Sequence, residues 1–148
     1  MYENKNSNIC CVRTLNAAIF PILNISEKTW NSDDLTDYIL FDKFIYTDRE
    51  SIFYELYKNK FFIDCNGVIY QAIEKAKLTE KWRNWFRFIP NIWKRELLFI
   101  NTNENWTIDQ LRNYLLERIS DLKPNEHTEK WKSDLKNAKN HFELINGR

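Results

Sequence analysis

The sequence predicts an α+β domain, on three observations. A strand-like run over 61–72 is interrupted by Asn66-Gly67, a second strand-like run covers 96–101, and apolar residues recur at helical spacing on both sides of them. The expected architecture is a small antiparallel or mixed sheet, hairpin 61–72 plus strand 96–101, packed against several amphipathic helices. A chain of 148 residues is expected to form one globular domain over 1–148, because that size buries about two thirds of the unfolded surface without disulfides or metal.

Asn-Gly between apolar runs favours a two-residue type I′ turn with both residues at positive φ. Such a turn sets Cys65 opposite Val68, Ile63 opposite Tyr70 and Phe61 opposite Ala72 on one apolar face, leaving Phe62, Asp64 and Gln71 on the other. A lone hairpin is only marginally stable. Leu97, Leu98, Phe99 and Ile100 therefore read as the strand that completes the sheet.

The helices follow in chain order. Ser7 or Asn8 caps a first one carrying Cys11, Leu15, Ala18, Ile19 and Ile22, which Pro21 ends. Ser32 caps a second, with Asp33 and Asp34 at its positive end and Leu35, Tyr38 and Ile39 as the buried stripe. Thr47 with Glu50 matches a capping box, and Ile52, Phe53, Leu56 and Tyr57 make one face of a helix over about 48–59. Thr107 with Gln110 repeats that signature before the stripe Ile108, Leu111, Leu115, Ile119, and Pro124 marks the break. A last helix carries Trp131, Leu135, Ala138, Phe142 and Ile145 at spacings of four and three.

The segment 81–95 holds three of the six tryptophans, interleaved with basic residues. Thr79 caps a short helix in which Trp82, Trp85, Phe86 and Ile89 form a core stripe, stopped by Pro90. Outside that stripe, Arg83, Arg87, Phe88, Trp93, Lys94 and Arg95 keep open a nucleic-acid reading, with cations on phosphates and rings stacked on bases. The competing account places the rings in the core and the basic stems over them.

Charge is balanced at +1 overall, so no whole-molecule field draws the protein to nucleic acid or membrane. Locally it is uneven: residues 74–96 carry a net +4 and residues 31–60 a net −3. No apolar run reaches the roughly 18 residues of a membrane span, and the polar first residues do not resemble an export signal. Cys10, Cys11 and Cys65 form an odd set, two of them adjacent. That pattern suits free thiols in a reducing cytoplasm.

Catalytic signatures are sparse. His127 and His141 stand fourteen residues apart, and no Cys/His pair has metal-ligand spacing, so neither metal nor cofactor is expected. Asp64, Glu74 and Lys77 lie where a nuclease would place carboxylates and a lysine, but Lys77 is three residues past Glu74 and the Glu-x-Lys dyad is missing. The reading is non-enzymatic. The acidic helices remain as a partner-binding face, with Asp33, Asp34, Asp37, Asp48 and Glu50 steering a basic protein and Tyr38 as an exposed anchor.

Three segments, Phe62-Ile63-Asp64-Cys65-Asn66-Gly67-Val68-Ile69-Tyr70, Glu96-Leu97-Leu98-Phe99-Ile100 and the helix from Thr107, together resemble small bacterial toxin-immunity proteins of contact-dependent and polymorphic toxin systems. The resemblance implies a compact α+β domain without an active site. It implies one-to-one binding of a cognate toxin domain, often a basic nuclease, through a charged patch and an aromatic rim, with no membrane and no small-molecule cofactor.

Overall fold

The computed structural model describes residues 18–47, 50–77 and 93–146. Within them the chain forms six strands, four α-helices and one 3-10 turn, an α+β fold. The strands are β1 (Ile22–Asn24), β2 (Ile39–Leu40), β3 (Phe44–Thr47), β4 (Phe61–Ile63), β5 (Val68–Lys77) and β6 (Trp93–Asn105). The helices are α1 (Glu50–Leu56), α2 (Ile108–Ser120), α3 (Glu126–Asn137) and α4 (His141–Asn146). One antiparallel sheet joins the strands in the order β2-β1-β4-β5-β6-β3. Hairpin and third strand, β4-β5-β6, are its centre as the sequence predicts; three short strands extend it on both sides.

Chain connectivity forces this sheet to curl. Leu40 ends β2 and Phe44 begins β3, yet these strands occupy opposite edges. The four virtual bonds between them span at most about 15 Å, whereas a flat six-stranded sheet holds its edges about 24 Å apart. The edges therefore bend toward each other, and Leu97 N–H donates to the carbonyl of Lys43 at 2.7 Å to tie the connection down.

Curling gives the sheet two different faces, and both are buried. Ile22, Ile45, Phe62, Tyr70, Ala72, Leu97 and Phe99 pack together with Phe53 of α1. Leu40 of β2 also packs here, so both edge strands reach one cluster, which places it on the concave side. Leu23, Ile39, Ile63 and Ile69 point the other way, onto a layer built by Leu111, Leu115, Ile119, Trp131, Leu135, Leu144 and Ile145. Alternation along the strands thus feeds two cores from one sheet.

The turn that sets this alternation is one residue longer than the sequence predicts. The register pairs Phe61 with Gln71, Phe62 with Tyr70 and Ile63 with Ile69. Of the Asn66-Gly67 pair, Gly67 has positive φ, at 81°, and Asn66 does not. Gly67 N–H donates to the Asp64 carbonyl and Asp64 N–H to the Val68 carbonyl, both at 3.0 Å. This is a type I turn followed by a left-handed glycine, the three-residue hairpin loop. Asp64 causes it: its Oδ1 accepts the amides of Asn66 at 2.9 Å and Val68 at 3.0 Å, which a two-residue turn would not present. Tyr70 adds its hydroxyl to the same carboxylate. Asp64 is 1% exposed, and these donors replace the water it has lost.

Other expectations need correction. Residues 18–21 are not helical and Ile22 lies within β1, since Ile22 and Leu23 bury on opposite faces of the sheet. The rest of the proposed first helix, with Cys10 and Cys11, lies outside the described residues. So does the proposed helix with Trp82, Trp85, Phe86 and Ile89. The acidic helix capped by Ser32 is instead one 3-10 turn, Leu35–Tyr38, capped by Asp34. It ends where Ile39 joins β2, because Ile39 and Leu40 bury on opposite faces. Helix α1 stops at Leu56, and Asn59 follows at φ 60°, a conformation asparagine tolerates past a helix end.

Helix α2 carries both capping-box bonds, Gln110 N–H to Thr107 Oγ1 at 3.2 Å and Thr107 N–H to Gln110 Oε1 at 2.8 Å; of the expected stripe Leu111, Leu115 and Ile119 are buried and Ile108 is half-buried. The last helix is two. Ala138 is extended at the end of α3, and Asn140 caps α4 by accepting Glu143 N–H at 2.8 Å. The break rotates the stripe, so Leu144 and Ile145 are buried and Phe142 is 53% exposed. Arg112 of α2 fills the gap, donating to the carbonyls of Leu135 at 3.1 Å and Ala138 at 2.7 Å.

Gly67 carries the tightest steric demand. A Cβ there would sit 2.5 Å from the Trp106 carbonyl oxygen and 2.6 Å from His141 Nε2. Gly67→Ala is expected to lower unfolding free energy by at least about 1–3 kcal/mol, the cost of a strained left-handed residue. Asn66→Ala next to it should stay within about 0.5 kcal/mol. Urea denaturation of both variants checks the pair.

Candidate functional site

A cleft of about 530 Å³ opens at the mouth of the curled sheet. Its floor is apolar: Ile39 and Leu40 of β2, Phe62 of β4, and Leu56 and Tyr57 at the end of α1. Its walls are polar: Asn24 at the end of β1, and Glu27, Thr29, Asn31, Ser32, Thr36, Asp37 and Tyr38 from the stretch that joins β1 to β2.

The loop forming the walls has little regular structure, and aromatic packing holds it. Trp30, 3% exposed, stacks on Tyr38 with centroids 4.2 Å apart and planes 6° from parallel. Its other contacts are Trp131 of α3 at 5.6 Å and Tyr114 of α2 edge-on at 6.4 Å. Such ring pairs contribute about 0.5–1.5 kcal/mol each beyond area burial. Tyr114 also donates its hydroxyl to the Glu27 carbonyl at 3.0 Å, and burial pushes that phenol up to about 12. The walls are thereby fixed to the helical layer.

Polar bonds then set the acidic side chains. Tyr38 Oη accepts the amides of Asn31 at 3.1 Å and Ser32 at 3.0 Å. Ser32 donates its hydroxyl to Asp37. Asp34 Oδ1 accepts Thr36 N–H at 2.9 Å and Thr36 Oγ1–H at 2.6 Å, and these bonds, the hydroxyl first, hold the Asp34 carboxyl below its ordinary value of 3.8. Asp33 accepts Asn125 Nδ2–H at 3.3 Å. Across the cleft wall, Lys60 Nζ pairs with Glu27 at 3.0 Å. Burial raises the Tyr57 phenol above its ordinary value.

Of the partner-binding residues read from sequence, Asp33, Asp34, Asp37 and Tyr38 come together on this loop, and Asp37 and Tyr38 face the cleft. Tyr38 is half-buried against Trp30 rather than a free-standing exposed anchor. Glu50 opens α1, and Asp48 lies outside the described residues. Of the nucleic-acid candidates, Arg83, Arg87 and Phe88 also lie outside them. Trp93 and Lys94 begin β6 opposite Thr47 and Tyr46, and Arg95 pairs with both Ile45 and Lys77.

The nuclease-like set does not converge. Asp64 faces its turn amides, and Glu74 lies six residues along β5 from Asp64's neighbour Val68, about 20 Å at strand rise. Among the described residues, no group of three or more His, Cys, Asp or Glu is placed to hold a metal ion. Cys65 donates to the Pro21 carbonyl at 3.3 Å, and burial followed by the Asp64 charge raises its thiol. No helix among the described residues is long and apolar enough to cross a membrane.

Sequence reasoning missed Glu27, Asn24 and the floor of the cleft. Their positions, from 24 to 62, are joined only by the β1-β2-β4 ladder, so no local pattern marks them. Comparison with protein-family models, curated proteins and solved structures returns no match.

The Asp34 bonds give a pH test. A carboxyl whose folded-state value is lowered stabilises the fold above its unfolded value and loses that contribution as pH falls through the folded one. Asp34→Asn keeps an acceptor for Thr36 but cannot titrate. The difference in urea midpoint between wild type and D34N is expected to be constant above about pH 5 and to shrink as pH falls below 3.8.

Proposed function

We propose that the protein is a non-enzymatic inhibitor that binds one basic protein partner, with immunity to a cognate bacterial toxin as its concrete form. The observation that carries this reading is the loop 27–38. It brings Asp33, Asp34 and Asp37 onto one loop, with Glu27 and Asp37 lining an open cleft, and fixes them by aromatic stacking and polar bonds. Carboxylates held in place complement a basic surface without first losing conformational freedom, which favours fast, steered association. Tyr38 lines the cleft as an aromatic edge, and exposed Leu56, at 53%, supplies apolar contact area in the same lining.

The test is a pull-down and calorimetric titration with the product of the gene immediately upstream. A one-to-one complex is expected, and reversing Asp33, Asp34 and Asp37 to lysine should weaken it at least about tenfold. Absence of a complex, or an affinity within about twofold for the reversed protein, would remove this function.

A further inference from the structure

We infer that the cleft at the mouth of the curled sheet receives a single arginine side chain, the anchor residue of the partner. This rests on reading the protein as a binder of a basic protein, and it names the group that enters. The lining is segregated: an apolar floor of Ile39, Leu40, Leu56, Tyr57 and Phe62, and a polar wall that includes Glu27 and Asp37. Glu27 is paired with Lys60, so a purely apolar ligand would leave the Asp37 carboxylate facing it without a cation, and a small cation alone would leave the apolar lining uncovered. Arginine has both parts, a three-carbon stem that lies on apolar surface and a charged head.

Two features favour a guanidinium over an ammonium. Its planar fork matches a carboxylate with two parallel hydrogen bonds. Tyr38 and Tyr57 line the same space, and a flat, weakly hydrated cation stacks on such rings. The second carboxylate, Asp37, is held from its side by Ser32 Oγ–H, which orients it without neutralising it.

The probe is Nα-acetyl-arginine amide, titrated into the isotopically labelled full chain and followed by two-dimensional amide NMR. Saturable shifts are expected at Asn31, Ser32, Asp37 and Tyr57, with a dissociation constant on the order of millimolar, as suits one side chain without its protein. The neutral isostere Nα-acetyl-citrulline amide should bind at least about tenfold more weakly, and Nα-acetyl-lysine amide at least about threefold more weakly. Asp37→Asn and Glu27→Gln should each weaken the arginine probe at least about fivefold while the rest of the spectrum stays native. Two variants keep the test valid if one of them misfolds.

Absence of saturable shifts up to about 50 mM, a range covering weak side-chain binding, would overturn the inference. Equal binding of the citrulline or lysine probe, or shifts confined to another surface, would overturn it as well. The result is separable from that of the complex with the whole partner. Failure here beside an intact complex leaves the function and removes the cleft as its anchor; saturation here without any complex leaves the ligand class and removes the partner reading.

Discussion

The buried carboxylate of Asp64 is the contact on which the sheet depends. By accepting two amides of its own turn it lengthens the hairpin loop to three residues, and loop length sets strand register. Register in turn decides faces, because a one-residue slip moves every side chain to the opposite side. With Phe62 and Tyr70 inward and Ile63 and Ile69 outward, the sheet has a lining for its concave core and a platform for the helices. The alternative register would send Ile63 and Phe61 into the concavity and leave Phe62, a larger ring, against the helical layer.

From this turn the second organising constraint follows. The concave face is apolar on every strand, so it is buried only if the sheet bends over it, and the short β2–β3 connection holds that bend. Phe53 of α1 then covers one opening, with Lys75 Nζ 5.1 Å from its ring centroid. The other opening lies between the β1–β2 side and the end of α1. It remains a cleft because the loop above it is drawn outward by Trp30, whose ring belongs to the helical core. One tryptophan thus both stabilises the outer core and anchors the wall of the cleft.

Signals contained in a few consecutive residues were legible in the sequence. The capping box of Thr107 and Gln110, the stripe of α2 and the existence of the hairpin all belong to this class. What was not legible came from competition between local and distant partners. Asn66-Gly67 alone favours a two-residue turn, and only Asp64 acting on its own turn amides shifts the balance. Ile22, Ile39 and Ile45 sit in strands of two to four residues, too short to show alternation, and they are strands because their neighbours in space supply the ladder. The break at Ala138 hid behind an unbroken apolar spacing, although Asn140 with Glu143 three residues later carries a cap signature. For the site, the acidic cluster was visible as composition, while its cleft was not, because the floor is assembled across the sheet.

The β2–β3 connection has a kinetic meaning as well as a geometric one. Strand β4 meets β5 across a turn, but β1 meets β4 about forty residues away and β3 meets β6 about fifty away. Entropy of loop closure must be met before those distant ladders return any energy. The hairpin is therefore the natural early structure, and joining the sheet's outer strands is a late event that depends on it. Slow closure leaves the apolar concave lining exposed in the interval, so the same curl that shelters the native core makes its final assembly the step most open to misassociation.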